Sequence, residues 1–286
     1  MLGLVINPNA GGSVKRASAQ TISYLDAHSI GYKILSADSP EQMQANLIKA
    51  QPSRIVAIGG DGTLQSVLSY VVDKQAELIA IPAGSGNDAA RKLGLTSKKI
   101  SEILHQGLKL EKFQQVDAIS VQTNLGKFAT IGTLSAGLDS FVNKKANEFN
   151  FGGFLKYPIA LLNQLPSFRA VDYELIINGN SETFSGMLCS LTNSGIFGGG
   201  MKIVPQSKLS DSTLELFKVS TISKPELLTV FPRVYLGTHL THPAVSVQTL
   251  KSLQLNADVD IYADGEPLGF GGYQAELLGG VLKVAI

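Results

Sequence analysis

Cysteine is almost missing from this chain, tryptophan is missing altogether, and neither sign of charge is in excess. Cys189 is the single cysteine among 286 residues, which excludes a disulfide framework and fits a reducing, cytoplasmic setting. Its neighbours Met187, Leu188 and Leu191 are those of a core strand, so the thiol reads as a small buried hydrophobe and not as a nucleophile. The formal net charge is +1, without the basic excess of a nucleic-acid binder. No apolar run approaches the roughly 18–20 residues that a membrane span needs. Residues 1–7 lack the basic n-region and the length of a signal peptide. The expectation is a soluble chain with no transmembrane segment and no nucleic-acid partner. Internal repeats and low-complexity tracts are missing too. His28, His105, His239 and His242 show no ligand-like spacing to cysteines or acids. His239 and His242, beyond an expected helix end, are expected at the surface.

What is present is apolar residue, 44% against 16% charged, enough for a substantial core and against disorder. The length allows one large domain or two medium ones. The chemistry gathers around residues 54–63. Residues 54–58 are a short run, β-branched at Ile55, Val56 and Ile58, and read as a buried strand. Leu64, Val67, Leu68, Val71 and Val72 then repeat at the spacing of one helix face. Between strand and helix stand Gly59, Gly60, Asp61, Gly62 and Thr63. Glycine lets backbone N–H groups come close to a ligand, and a helix N-terminus favours phosphate. A carboxylate facing phosphates is repulsive unless a cation intervenes, so Asp61 points to Mg²⁺. The plainer reading is a tight turn whose aspartate caps a helix. The spacing is neither that of a P-loop nor G-x-G-x-x-G.

In order, strands are expected at 2–6, 32–35, 54–58 and 78–81, with helices between them. Ser39, Pro40 and Gln42 form a capping-box signature. This alternation to about residue 105 indicates a parallel α/β sheet, and ligands bind beyond the carboxyl ends of such strands. Three loops rich in Gly, Asn and Asp, at 7–13, 59–63 and 82–88, fall on that edge. From about residue 113 the pattern becomes β-rich. Hairpins are expected from 113–123 to 127–134, and from 171–177 to 183–191. Further strands are expected at 214–219, 245–255, 259–263, 273–278 and 281–286, with helices near 139–165 and 225–237. The domain expectation is an α/β unit over 1–120, to which 277–286 returns, and a β-rich unit over 121–276.

In the second half, Asp264-Gly265-Glu266-Pro267 reads first as a hairpin turn with exposed acids. Its sharper reading makes Glu266 a general base held near the 59–63 loop. Asp211, after Gly198–Gly200 and Pro205, is a turn residue that could also hold a hard cation with neighbouring carbonyls. Phe151, Phe154, Leu155, Ile159, Leu162 and Leu165 share a helical face, either core or the wall of an acyl slot.

The set Asn7-Pro8 with Ala10-Gly11, Gly59 to Thr63, Gly84-Ser85-Gly86-Asn87-Asp88-Ala89-Ala90-Arg91, Gly198 to Met201 and Asp264-Gly265-Glu266-Pro267 resembles the bacterial diacylglycerol-kinase-type lipid kinases. Their catalytic domain is shared with sphingosine and ceramide kinases, and the resemblance spans essentially the whole chain. It implies a Rossmann-like α/β domain of the NAD-kinase and phosphofructokinase type, followed by an antiparallel β-sandwich. It implies ATP- and Mg²⁺-dependent transfer of phosphate to a lipid hydroxyl, diacylglycerol or a related lipid, by an enzyme peripheral at a membrane surface. A homodimer is compatible with it. Carried over by position, Asn7, Gly59, Gly60, Asp61, Gly62, Thr63, Leu64, Gln65 and Ser85 would hold the nucleotide phosphates, and Ser36 would contact the nucleotide. Glu266 would be the catalytic base, and Asp61 would order a water on Mg²⁺. Asp88 and Asp117 match acids of the cleft. Lys208, Asp211 and Thr213 would form a second metal site, although Ser210 and Ser212 depart from the pattern there, as Ala89 does from a common phenylalanine.

Two rivals stand beside this. The NAD kinases, with a soluble acceptor, also carry Gly-Gly-Asp-Gly-Thr, but their Asn-Glu second motif is missing here. A non-catalytic lipid-binding protein of the same fold is argued against by Asp61 and Glu266 together.

Overall fold

Short β-branched strands alternate with amphipathic helices over the first part of the chain, and this periodicity builds a parallel sheet. The computed structural model describes residues 1–7, 11–149 and 156–286. The chain divides into two units, Met1–Asp117 with Gly280–Ile286, and Ala118–Gly279. The first contains β1 (Leu2–Ile6), α1 (Gly12–Ala27), β2 (Tyr32–Leu35), α2 (Pro40–Ala50) and β3 (Arg54–Gly59). It continues with α3 (Asp61–Lys74), β4 (Glu77–Pro82), α4 (Asp88–Lys92) and α5 (Ile100–Leu108). Strands β1 and β2, β1 and β3, and β3 and β4 pair in parallel, with Leu4 opposite Val56 and Ile55 opposite Leu78. Near the chain's end, Lys283 and Val284 add a further parallel strand beside β4. Ile55, Val56, Ile58, Ile79 and Ile81 are almost wholly buried, as expected of strands covered on both faces.

The helices follow their local signals. Leu64, Val67, Leu68 and Val71 of α3 are buried, with Asp61 in its first turn and Lys74 in its last, the charge order that suits the helix dipole. Ser39 caps α2 by accepting the Gln42 N–H, and Pro40 occupies the first turn. The expected capping box closes one residue off register, because the Gln42 side chain accepts from the Asp38 N–H at 2.8 Å instead of from Ser39.

The second unit is antiparallel. It contains β5 from Ala118 onward (the strand runs Phe113–Thr123), β6 (Gly126–Thr130), β7 (Thr133–Gly137), α6 (Leu138–Asn147), α7 (Lys156–Gln164), β8 (Val171–Ile177) and β9 (Asn180–Thr192). Then come β10 (Leu214–Ser220), α8 (Lys224–Val230), α9 (Arg233–Leu236), β11 (Val245–Leu250), β12 (Ser252–Ala263) and β13 (Glu266–Ala285). The hydrogen-bonded order is β11-β10-β9-β7-β12-β13, with β8 pairing both β9 and β12, and β6 pairing β5. Asn178 and Gly179 join β8 to β9 with φ of 48° and 89°, the double positive φ of a type I′ turn. Ile119, Leu175, Cys189, Leu191, Leu255 and Ile261 sit in one core. Burial pushes the Cys189 thiol up to about 12, in keeping with the inert role expected of it.

Several expected elements are drawn differently. The single strand at 127–134 is two strands, since β6 pairs with β5 while β7 pairs with β9 and β12. The run at 245–255 breaks at Lys251, where the Lys251 and Ser252 N–H groups both reach Asn178 Oδ1 at 3.3 Å. That break lets β11 follow β10 while β12 continues to Ala263, absorbing the separate strand at 259–263. The strands at 273–278 and 281–286 join into β13, whose ladder passes from β12 to β4. Thr183 is preceded in β9 by three further strand residues. Of the expected apolar face over 151–165, the described members are split between surface and core. Ile159 and Leu162 are exposed, whereas Ala160, Leu161 and Leu165 are buried; Phe151, Phe154 and Leu155 lie outside the described residues. His239 is buried, not exposed. Its Nε2 lies 2.9 Å from the Ile203 carbonyl, and its ring meets Phe217 edge to face. Burial holds the imidazole below its ordinary pKa.

Candidate active site

Parallel pairing puts the carboxyl ends of β1, β3 and β4 on one edge, so the segments that follow them meet. Ser13 Oγ donates to the Ala83 carbonyl at 2.8 Å, and the Ala83 N–H donates to the Gly59 carbonyl at 2.9 Å. A Cβ on Gly84 would collide with the Gly60 backbone, so the two loops touch where neither has a side chain. Asn87 holds the third loop closed. It adopts φ of 56°, its Oδ1 accepts the Gly84 N–H at 2.9 Å and its Nδ2 donates to the Gly84 carbonyl at 2.7 Å. Arg91 adds a bond to the Gly86 carbonyl at 2.9 Å. Gly84→Ala is expected to push the loops apart and lower stability by about 1–3 kcal/mol, with a raised KM for the nucleotide; an unchanged unfolding midpoint and KM would contradict the close packing.

Asp61 lies within this edge. No side chain caps α3 at Gly60. The Asp61 carboxylate reaches away from its own helix, and Oδ1 accepts the Ala89 N–H at 3.3 Å, in the first turn of α4. A Cβ on Gly86 would stand 2.7 Å from Asp61 Oδ2. Burial raises the Asp61 pKa, opposed by backbone donors at Asp88, Ala89 and Asn87. A shallow cleft adjoins it, lined by Gly59, Gly60, Asp61, Pro82, Asn87 and Ala90 among others.

The other expected nucleotide residues divide. Gly62, Thr63 and Gln65 lie in the first turns of α3 and are half-buried. Gly59 leaves room for the Thr63 side chain, which a Cβ there would strike. The Leu64 side chain is buried, and its N–H is committed to the Gly60 carbonyl at 3.1 Å. Asn7 follows β1 and Ser85 lies between Gly84 and Gly86, both exposed; Pro8 and Ala10 lie outside the described residues. Ser36 follows β2, the outer strand, and its carbonyl accepts Asn46 Nδ2 at 2.9 Å. Asp88 is buried, with Arg91 Nε 3.8 Å from its carboxylate. Asp117 is buried and accepts the Gly280 N–H at 2.7 Å.

In the second unit, Asp264 and Gly265 have φ of 49° and 88°, so the turn reading of this motif is realised. Glu266 follows as the first residue of β13, exposed and paired in the ladder with Ala263. Asp211 is exposed, and its Oδ1 accepts from the Thr213 N–H at 3.2 Å and the Thr213 hydroxyl at 2.8 Å. Among the described residues, no three or more His, Cys, Asp or Glu are grouped as metal ligands.

Sequence reasoning gave three residues no role of their own. Ser13 and Asn87 tie the first unit's loops together; Ser13 was read only as part of a turn-rich loop, and Asn87 only as a member of the Gly84 to Arg91 motif. Asp139 is the third. It is buried in α6, accepting from the Tyr157 hydroxyl and from Asn143 Nδ2 at 3.1 Å. Both Asp139 and Tyr157 face a cavity of about 70 Å³ whose wall is otherwise mainly apolar, including Leu161, Met187, Met201 and Phe231. Burial raises the Asp139 carboxyl to about 6. The folded chain then holds this proton more tightly than the unfolded one, so stability should fall as pH rises from about 4 towards about 6. Asp139→Asn is expected to flatten that part of a plot of unfolding midpoint against pH; an unaltered slope would contradict it.

A parallel α/β unit with a glycine-lined loop edge and an antiparallel β unit make up the chain, and both have counterparts among known kinases. Residues 1–121 match the diacylglycerol kinase catalytic domain. Residues 132–286 match the YegS C-terminal NAD kinase beta sandwich-like domain. The chain is 28% identical over 271 residues to a diacylglycerol kinase of Mycobacterium tuberculosis (strain CDC 1551 / Oshkosh), covering 91% of this chain and 86% of the relative. It is 26% identical to a diacylglycerol kinase of Staphylococcus haemolyticus (strain JCSC1435), covering 92% and 81%. A crystal structure of a diacylglycerol kinase from Bacillus anthracis str. Sterne superposes with a TM-score of 0.75 at 20% identity, covering 99% of this chain and 96% of that one. The chain belongs to the diacylglycerol-kinase-type lipid kinase family, and it is a kinase.

Proposed function

We propose that this enzyme transfers the γ-phosphate of ATP to the hydroxyl of diacylglycerol or a related lipid, with Mg²⁺ required, at a membrane surface. The observation that carries the reading is the meeting of the loops after β1, β3 and β4 around the start of α3, with Asp61 among glycines. Backbone N–H groups of Gly59 to Thr63 hold the phosphates, with help from the α3 dipole. Asn7, Gln65 and Ser85 contribute polar groups, Ser36 contacts the nucleotide, and Leu64 acts by shaping the helix, since its N–H is committed. Bound Mg²⁺ would supply charge neutralisation to the phosphates. Asp61 fits it: one hard carboxylate suits an ion that keeps several waters, and a cation would offset the burial that raises its pKa. Lys208, Asp211 and Thr213 offer a single carboxylate, already engaged by Thr213, a set too poor in charge to hold a second cation alone. No step is assigned to it.

Glu266 orients the acceptor hydroxyl and takes its proton. Phosphoryl transfer proceeds through a loose transition state, so positioning and charge matter more than base strength. The mainly apolar cavity beside Leu161 and Phe231 suits acyl chains, replacing the outward face of α7 considered from sequence. Among the described residues no helix is long and apolar enough to cross a membrane, so the lipid is met from outside the bilayer core. The test is purified protein with labelled ATP, with and without EDTA, against diacylglycerol, a long-chain base, a polyprenol and NAD. Label in diacylglycerol that EDTA abolishes is expected. Label entering NAD alone would overturn the lipid reading, and transfer indifferent to EDTA would overturn the Mg²⁺ requirement.

A further inference from the structure

Asp264 has a conformational reason to be where it is, since aspartate followed by glycine suits a type I′ turn. That reason concerns its backbone and leaves its carboxylate unexplained. The side chain reaches far beyond its own turn. Its Oδ2 accepts from the Thr130 hydroxyl at 2.7 Å, 134 positions away, and its Oδ1 accepts the Thr133 N–H at 2.8 Å, 131 positions away. The Asp264 N–H returns a bond to the Thr133 carbonyl at 3.0 Å. Thr130 and Thr133 are both buried. Thr133 is held in turn by Thr192, with hydroxyl oxygens 2.7 Å apart. The other turn residue is tied as well, because Asn147 Nδ2 donates to the Gly265 carbonyl at 3.1 Å.

The break between β6 and β7 is built around this carboxylate. A Cβ on Gly132 would collide with it, so the chain passes as glycine, and β7 opens with the Thr133 N–H donated to Asp264. The residue immediately after this doubly anchored turn is Glu266, whose side chain is exposed. An exposed glutamate on a free hairpin tip would sample many rotamers and backbone positions. Here its backbone is fixed from both sides, by the Ala263 pairing and by the buried threonines.

We infer that Asp264 is a positioning residue for the phosphoryl-transfer step: anchored on Thr130 and Thr133, it fixes the turn that presents Glu266 to the acceptor hydroxyl. This rests on Glu266 being the base. Displacing a catalytic group by about 1 Å costs on the order of 100-fold, so Asp264→Ala should lower kcat by about 10–100-fold with the KM for ATP unchanged. Asp264→Asn keeps an acceptor for the Thr133 N–H and an amide for the Thr130 hydroxyl, and should restore most of the rate. Gly132→Ala, which evicts the carboxylate without removing it, should reproduce the loss.

The deciding measurement is a double-mutant cycle in the full-length enzyme with labelled ATP and diacylglycerol in mixed micelles. With Glu266→Gln already in place, Asp264→Ala should cost no further kcat, because its effect runs through Glu266. A loss that multiplies in full, or wild-type kcat in Asp264→Ala alone, would overturn the positioning role. Wild-type kcat in Glu266→Gln would instead remove the base itself, and this inference with it. If Asp264→Ala does not fold, Thr130→Val takes its place in the same cycle, since it deletes a single hydroxyl, which donates to Asp264 and accepts the Gly132 N–H at 3.3 Å.

Discussion

Replacing Glu266 by glutamine is expected to lower kcat by about 10²–10⁴, the usual contribution of a positioned acid or base. The KM for ATP should hardly move, because the glycine loops proposed to hold the phosphates belong to the other unit. The fold should hardly notice either. Glu266 is exposed at the start of β13, and surface changes of this kind usually stay within about 0.5 kcal/mol. Glutamine preserves shape and hydrogen-bonding reach while removing the ability to accept a proton, so the substitution isolates that ability. A carboxylate is a weak base towards an alcohol. The role proposed for it is therefore to aim the hydroxyl and collect its proton late in a loose transition state. Measuring steady-state rates beside a thermal unfolding curve separates the outcomes, and full activity in this variant would refute the assignment.

Asp61→Asn should be comparably severe, on the order of 10²–10³ in kcat, as for loss of a preorganised electrostatic group, with a raised Mg²⁺ requirement. Its effect on stability should go the other way. Because burial raises the Asp61 pKa, the folded protein favours the neutral acid. The ionised form therefore costs stability as pH climbs above the unfolded carboxylate value of about 4. Asparagine mimics the neutral form and can still accept the Ala89 N–H, so the unfolding midpoint at pH 7 should hold or rise. Asp61→Ala removes that acceptor and should cost about 0.5–1.5 kcal/mol. The pair of variants separates two explanations of the residue. If alanine alone loses activity and asparagine keeps it, Asp61 is a structural tie to α4 and the cation role falls.

The elements that build the glycine-rich edge were legible because their signals are local. Ile55, Val56 and Ile58 announce a strand, Leu64 and Val67 a helix, and Gly59 to Thr63 the turn between them, all within residues 55–67. Turn chemistry was equally readable at Asn178-Gly179 and Asp264-Gly265, where positive φ follows from residue type. Legibility failed where the deciding contact is remote. Nothing near Gly132 says that an aspartate 132 positions later will fill the space of its missing side chain. His239 looked like a surface residue beyond a helix end, yet the Ile203 carbonyl and Phe217 enclose it. The α7 face was misjudged for a related reason: apolar spacing marks a stripe, and packing chooses which flank of it is covered.

Composition and periodicity thus settled the class of the chain: a parallel α/β part with glycine loops on one edge, and an antiparallel part after it. They could do so because backbone geometry, side-chain alternation and turn preference all act over a few residues. Tertiary structure alone decided that Asp61 would lean on α4, that Asp264 would reach Thr130 and Thr133, and that strands would break at Gly132 and Lys251. Each of those depends on which buried polar group must find a partner across the fold, and such pairing has no period along the chain.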